Sequence, residues 1–205
     1  MIAFSRAQLL QLAPRARESY QEAFVREDVL AASGLLERPL RLAHFLAQVS
    51  HETGGLTILV EHLHYRAERL MAVWPSRFPT RATADPYAGN PEALANHVYG
   101  GRMGNVEPGD GWRFRGRGLL QLTGRANYTR VGRAIGLDLA GQPYLVASAE
   151  HALAVAVEVW RAAGCMAHAD ADDVVKVTRA INGGTNGLAD RRTWLVKAKS
   201  LLEVR

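Results

Sequence analysis

The sequence predicts a mainly α-helical chain that forms a single domain over residues 1–205. Three observations lead there: apolar residues recur at three-to-four spacing in segment after segment, helix-opening residues stand ahead of several of these stripes, and glycines interrupt the pattern at three places. A chain of 205 residues can bury one full core and is too short for two independent catalytic domains. Residues 1–36 are expected to form an N-terminal helical segment.

The elements follow in order. Leu42, Phe45, Leu46 and Val49 make an apolar stripe opening at Pro39, a residue suited to the first helical position, and the helix runs into His51 and Glu52. Asn90 and Pro91 read as a cap ahead of Leu94, Ala95 and Val98. Leu153, Ala156, Val157 and Trp160 form a later stripe. Asp172 and Asp173 are expected to cap a helix carrying Val174, Thr178 and Ile181, and a last helix buries Trp194, Leu195, Ala198 and Leu201. The breaks are Gly54 with Gly55, the turn-rich segment 100–118, read as a long loop of the kind that carries function, and Asn182 with Gly183 and Gly184.

Composition narrows the class. Hydrophobic residues are 48% and charged residues 22%, which excludes a disordered or collagen-like chain. A net charge of +5 draws the protein towards polyanions without choosing among them. Cys165 is the single cysteine, so no intrachain disulfide forms, as expected for synthesis in a reducing cytoplasm. Arg6, Arg15, Arg17 and Glu18 interrupt the N-terminus before an apolar signal segment develops, and no apolar run is long enough for membrane insertion. Arg113, Arg115, Arg117, Arg191 and Arg192 belong to no reader motif, so nucleic acid is not an expected partner.

The sharpest motif is His51-Glu52-Thr53-Gly54-Gly55, followed nine residues after Glu52 by Glu61. Cleaving a glycosidic bond needs one carboxyl to protonate the leaving oxygen and a second to activate water, about 6.5–9.5 Å apart in inverting enzymes. A continuous helix would separate Glu52 and Glu61 by about 13 Å on nearly opposite faces. A straight strand would separate them by roughly 30 Å. Only a chain reversal brings them together, and Gly54 and Gly55 permit one. We assign Glu52 as acid and Glu61 as base, against the plain alternative that each is a solvated surface charge.

A zinc-peptidase reading of His51-Glu52 fails, because Gly55 occupies the position of the second histidine. His44, His51, His62 and His64 lack a recognised ligand spacing, so no metal site is expected. Residues 112–123 begin with an alternation that predicts an extended strand, with Arg113, Arg115 and Arg117 on the face that continues to Gln121 and Thr123. Gly116 and Gly118 would let a sugar approach the backbone, which makes the segment a candidate cleft wall, or else a basic strand edge.

Together these stretches resemble glycoside hydrolase family 19, the chitinase family to which many phage and prophage endolysins are related. The resemblance covers about residues 37–202. His51 to Gly55 are similar to the general-acid motif, and Glu61 stands at the general-base position of the short bacterial forms. Residues 114–123, with Asn127 and Tyr128, resemble the central signature, where Gln121 and Asn127 match sugar ligands and Thr123 matches the hydroxyl that helps hold the attacking water. Asn182 matches a further substrate ligand, and Arg191 a charge partner of the carboxylates. His51, Tyr65 and Arg117 complete the substrate-binding set that the resemblance implies.

The implied fold is lysozyme-like: a helical two-lobed domain with a small β-hairpin region lining a central cleft. The implied chemistry is inverting hydrolysis without metal or cofactor. His62 and His64 stand where related lysins carry asparagines, and the chain lacks the cysteines and chitin-binding module of plant chitinases. This shifts the expected substrate from chitin towards peptidoglycan, whose acidic wall suits a basic protein. The expected agent is a monomeric endolysin, released through a separate holin-type membrane pore if phage-encoded.

Overall fold

Leu42, Ala43, Phe45, Leu46, Ala47 and Val49 all have zero exposure, so the apolar stripe that opens at Pro39 runs through the centre of the molecule. In the computed structural model, which describes residues 2–204, this helix follows α1 (Arg6–Leu12), α2 (Glu18–Phe24) and α3 (Glu27–Ala32), and spans Pro39–Glu52 as α4. Pro39 sits in its first turn as expected. Next come α5 (Ala67–Val73), α6 (Arg81–Ala84), α7 (Pro91–Tyr99), α8 (Asp110–Arg113) and α9 (Arg125–Ile135). The chain closes with α10 (Ala152–Ala162), α11 (Cys165–Asp170), α12 (Val174–Asn182) and α13 (Leu188–Leu201).

The largest apolar cluster joins α4 to residues of α1, α2, α10, α11, α12 and α13. Phe45 meets the buried Trp160 edge-on at 5.4 Å. Each such side chain contributes about 1.5–3 kcal/mol by leaving water, so this packing sets the position of the end of α4 more firmly than any loop contact does. A smaller cluster, with Leu70, Phe78, Leu94 and Val98, unites α5, α6 and α7 as a second lobe. A third, with Phe114, Leu122, Tyr128 and Val155, ties α9 to α10.

The expected caps form with one exchange. Asn90 accepts from the amide of Ala93, and Asp173 from that of Lys176 at 2.9 Å. Asp172 does not cap: its backbone is left-handed at φ 54° and its carboxylate pairs with His44 and Lys199, tying α4 to α13. Segment 100–118 is anchored as a loop and interrupted by α8, with Trp112 N donating to Asn96 Oδ1 at 2.8 Å and Arg125 N to Asn105 Oδ1 at 2.8 Å.

The strand expected at the start of residues 112–123 is not there. Trp112 and Arg113 close the helical turn α8 instead, because Asp110 opens a turn that the loop anchors hold in place. Of the small β-hairpin region, the described residues contain isolated antiparallel bridges between Val60 and Arg117 and between Arg117 and Leu122. The arginines do not share a face either. Arg115 lies 3.5 Å above the Trp112 ring, and Arg117 is buried. Among the described residues, no helix is long and apolar enough to cross a membrane.

Candidate active site

Glu52 ends α4, and the chain turns back at once. Gly54, Gly55 and Leu56 all take positive φ, at 57°, 75° and 62°. Glycine is needed at the first two because that region is costly for residues with a Cβ. At Gly55 a Cβ would also lie 3.4 Å from Trp194. The Thr53 hydroxyl accepts from Leu56 N at 2.8 Å, and Gly55 N donates to Ser50 O at 2.7 Å. From the N-terminal segment, Arg17 N donates to Leu56 O at 2.8 Å and Tyr20 Oη to Ile58 O at 3.1 Å. The reversed chain then runs beside residues 116–118: Glu61 N donates to Gly116 O at 3.0 Å and Gly118 N to Leu59 O at 2.9 Å.

Glu61 is held by both carboxylate oxygens. Oε1 accepts from Gly116 N at 2.6 Å and Oε2 from the Tyr99 hydroxyl at 2.8 Å. Burial, and then the neighbouring Glu61 charge, push the Tyr99 phenol well above its ordinary value, so it remains a donor. Glu52, 15% exposed, pairs through Oε1 with Arg191, which has zero exposure and also donates to Gln48. One residue earlier, His51 Nδ1 lies 2.6 Å from Asp190 Oδ2. The His51 ring packs under Gly187, where a Cβ would collide with it.

Gln121 lies between the two glutamates. Its Nε2 donates to the main-chain carbonyl of Glu52 at 3.5 Å. A Cβ placed on Gly116 would collide with Gln121 Oε1, and would stand 3.3 Å from Thr123 Oγ1 and 3.4 Å from Glu61 Cδ. Glu61, Gln121 and Thr123 therefore converge on the space left by the missing side chain of Gly116. The Gln121 backbone is itself left-handed at φ 51°, an uncommon state for a residue with a side chain, of the kind that concentrates at functional sites. Thr123 Oγ1 donates to Gln121 O at 2.8 Å, and Asn127 Nδ2 to Thr123 O at 2.9 Å.

Gln121, Thr123 and Asn127 line a groove of about 350 Å³ together with Ala162, Ala163 and Ile181. Asn182 follows Ile181 at the end of α12 and is exposed. Two members of the expected set stand apart. Tyr65 packs edge-on to Trp74 at 5.7 Å and lines a different groove, with His64 and Gly89. Arg117 is 7% exposed and spends its Nη1 on Arg113 O at 2.7 Å and Tyr128 Oη at 2.9 Å, which braces the loop. Sequence reasoning missed Tyr99, Gln48 and Asp190. Tyr99 lies four residues after Ala95 on the α7 stripe, and Asp190 directly precedes Arg191, so their helix positions are the available signals.

Gln121, which lines the groove, reaches the Glu52 carbonyl and the space in front of Glu61, and acid–base cleavage of a polysaccharide uses such a pair of carboxyl groups. Residues 80–181 match the family model for class I chitinases, a stretch that holds Gln121, Thr123 and Asn127 and begins after Glu61. A glycosyl hydrolase family 19 domain-containing protein of Haemophilus influenzae is 40% identical over 155 residues, covering 74% of this chain and 75% of that protein. Endochitinase 2 of Gossypium hirsutum is 34% identical over 54% of this chain and 31% of its own length. Among solved structures, a bacterial family 19 chitinase superposes with a TM-score of 0.62 at 26% identity, covering 98% of this chain and 95% of that one. Chitinase C of Streptomyces griseus shares the fold, with a TM-score of 0.64 at 23% identity over 97% of this chain and 76% of its own. With that relative matched over three quarters of both sequences and the helical lysozyme-like fold shared, the chain belongs to glycoside hydrolase family 19.

Proposed function

We propose that this chain hydrolyses the glycan backbone of peptidoglycan by an inverting general acid–base mechanism. Glu52, as the acid, gives its proton to the glycosidic oxygen as the bond to the anomeric carbon breaks. Glu61, as the base, takes a proton from a water molecule held with the Thr123 hydroxyl, and that water oxygen bonds to the opposite face of the same carbon. Gln121, Asn127 and Asn182 bind sugar, while Arg191 holds Glu52 and His51 ties the end of the same helix to Asp190. The observation that carries this reading is the position of Gln121, one amide spanning from the Glu52 carbonyl to the space in front of Glu61.

Peptidoglycan is favoured by the net charge of +5, which draws the protein to an acidic wall. Chitin is the rival substrate, favoured by the class I chitinase description of the family model and by the endochitinases among the relatives. Release of reducing ends from purified peptidoglycan and from chitin separates the two. Mass spectrometry of the peptidoglycan digest names the bond through its new reducing sugar. Products from chitin alone would overturn the peptidoglycan reading, and none from either substrate would overturn the hydrolase reading.

A further inference from the structure

We infer that Arg130 is a specificity residue that reads a carboxylate on the bound glycan, so that the groove is built for a sugar carrying an acidic substituent. The inference rests on the hydrolase reading and deepens it by naming the substrate class. The groove that holds Gln121, Thr123 and Asn127 contains one charged lining residue, Arg130, and no acidic one. Arg130 is exposed on α9 and has no ion-pair partner among the described residues. Asn127 and Arg130 are three positions apart on one helix, so they share a face, and a ligand touching the Asn127 amide lies within reach of the guanidinium.

The rest of the lining shows what kind of ligand fits. Ala162, Ala163 and Ile181 present apolar groups, which suit acetamido methyls, while the Gln121 and Asn127 amides and the Thr123 hydroxyl suit the sugar hydroxyls. A neutral N-acetylated glycan is satisfied by these groups alone. The guanidinium adds a fork of donors whose geometry matches a carboxylate. Muramic-type sugars carry such a group on their lactyl ether wherever no stem peptide is attached, and the sugars of chitin do not. Of the two proposed acid–base carboxylates, Glu52 is taken up by Arg191 and Glu61 by Tyr99 and Gly116. Neither lines this groove to compete for Arg130.

The test is calorimetric binding to the full-length Glu52→Gln chain, which leaves the glycan uncut. The probes are a muramic acid-containing tetrasaccharide and the N-acetylglucosamine tetramer of equal length. We expect the acidic glycan to bind at least about tenfold more tightly at low salt, the range of one charge-assisted hydrogen bond, with the margin shrinking as salt rises. Adding Arg130→Gln should cut the ratio to within about twofold, Arg130→Lys should keep part of it, and Arg130→Glu should invert it. Equal binding of the two probes, or a preference that survives Arg130→Gln, overturns the inference. A Glu52→Gln chain that shows the preference, beside a wild-type chain that releases no reducing ends, overturns the hydrolase reading and leaves this assignment standing.

Discussion

His51 Nδ1 lies 2.6 Å from Asp190 Oδ2, one residue along each helix from the ion pair of Glu52 with Arg191. Two consecutive residues at the end of α4 thus meet two consecutive residues in the first turn of α13. The position of Glu52 is consequently set by the packing of two core helices, while that of Glu61 is set by the loop that returns alongside Gly116. Tyr99, at the end of α7, links the smaller lobe to Glu61.

Removing either proposed acid–base group should severely slow turnover while keeping the fold. Glu52→Gln and Glu61→Gln are each expected to slow glycan cleavage by about 100- to 10,000-fold, the usual share of a positioned acid or base. Circular dichroism should match the wild type. Wild-type rates in the Glu52 variant would sink the assignment of the acid.

Gly187→Ala should be both less stable and less active. Gly187 has φ 70°, and a methyl there collides with the His51 ring. A left-handed backbone at a residue with a Cβ costs about 1–3 kcal/mol, and the displaced ring loosens the Asp190 contact beside Glu52. Urea unfolding and initial rates check the two effects. An unchanged midpoint would show that the helices absorb the methyl.

Tyr99→Phe isolates one hydrogen bond, since the ring stays and only the donor to Glu61 Oε2 is lost. A hydrogen bond to a charged group is worth about 1.5–3 kcal/mol, so kcat should fall roughly 10- to 100-fold. The alkaline limb of the rate profile should not move, because the wild-type phenol is held well above its ordinary value and stays protonated. A variant as fast as the wild type would make the bond irrelevant to turnover.

Acid should loosen the loop that carries α8. Hydrogen bonds from Arg125 lead the causes that hold the Asp110 carboxyl below the ordinary carboxylate range. A carboxyl with a depressed folded-state value adds stability above its unfolded value of about 3.9, and that contribution is lost as pH falls through the folded value. Asp110→Asn should therefore lower stability at neutral pH by about 1 kcal/mol, a figure kept small because Arg125 is 36% exposed. The same variant should flatten the loss seen in acid. Thermal melts between pH 7 and pH 3 test this, and parallel curves for the two proteins would contradict it.

The helices were readable because their signals are local. Pro39, Asn90 and Asp173 open the helices they precede, and the stripes from Leu42 to Val49 and from Leu153 to Trp160 point into the core. The extended segment at Trp112 was misread because alternation over four residues cannot outweigh loop anchors such as Asn96, sixteen residues away. Arg117 entered the substrate-binding set through the family resemblance, and only the tertiary structure shows its guanidinium spent on Arg113 O and Tyr128 Oη. Tyr99 offered only its place on the α7 stripe, since its partner lies 38 positions earlier.

By itself, the sequence determined the helical class, the end of a buried helix at Glu52 and the need for a reversal at Gly54 and Gly55, because spacing and backbone freedom are properties of neighbouring residues. Only the tertiary structure decided what stands around the two glutamates. Gln121, Thr123 and Arg191 reach them across 60 to 140 positions of chain, and such contacts arise from how whole helices bury their apolar faces, which no local pattern encodes.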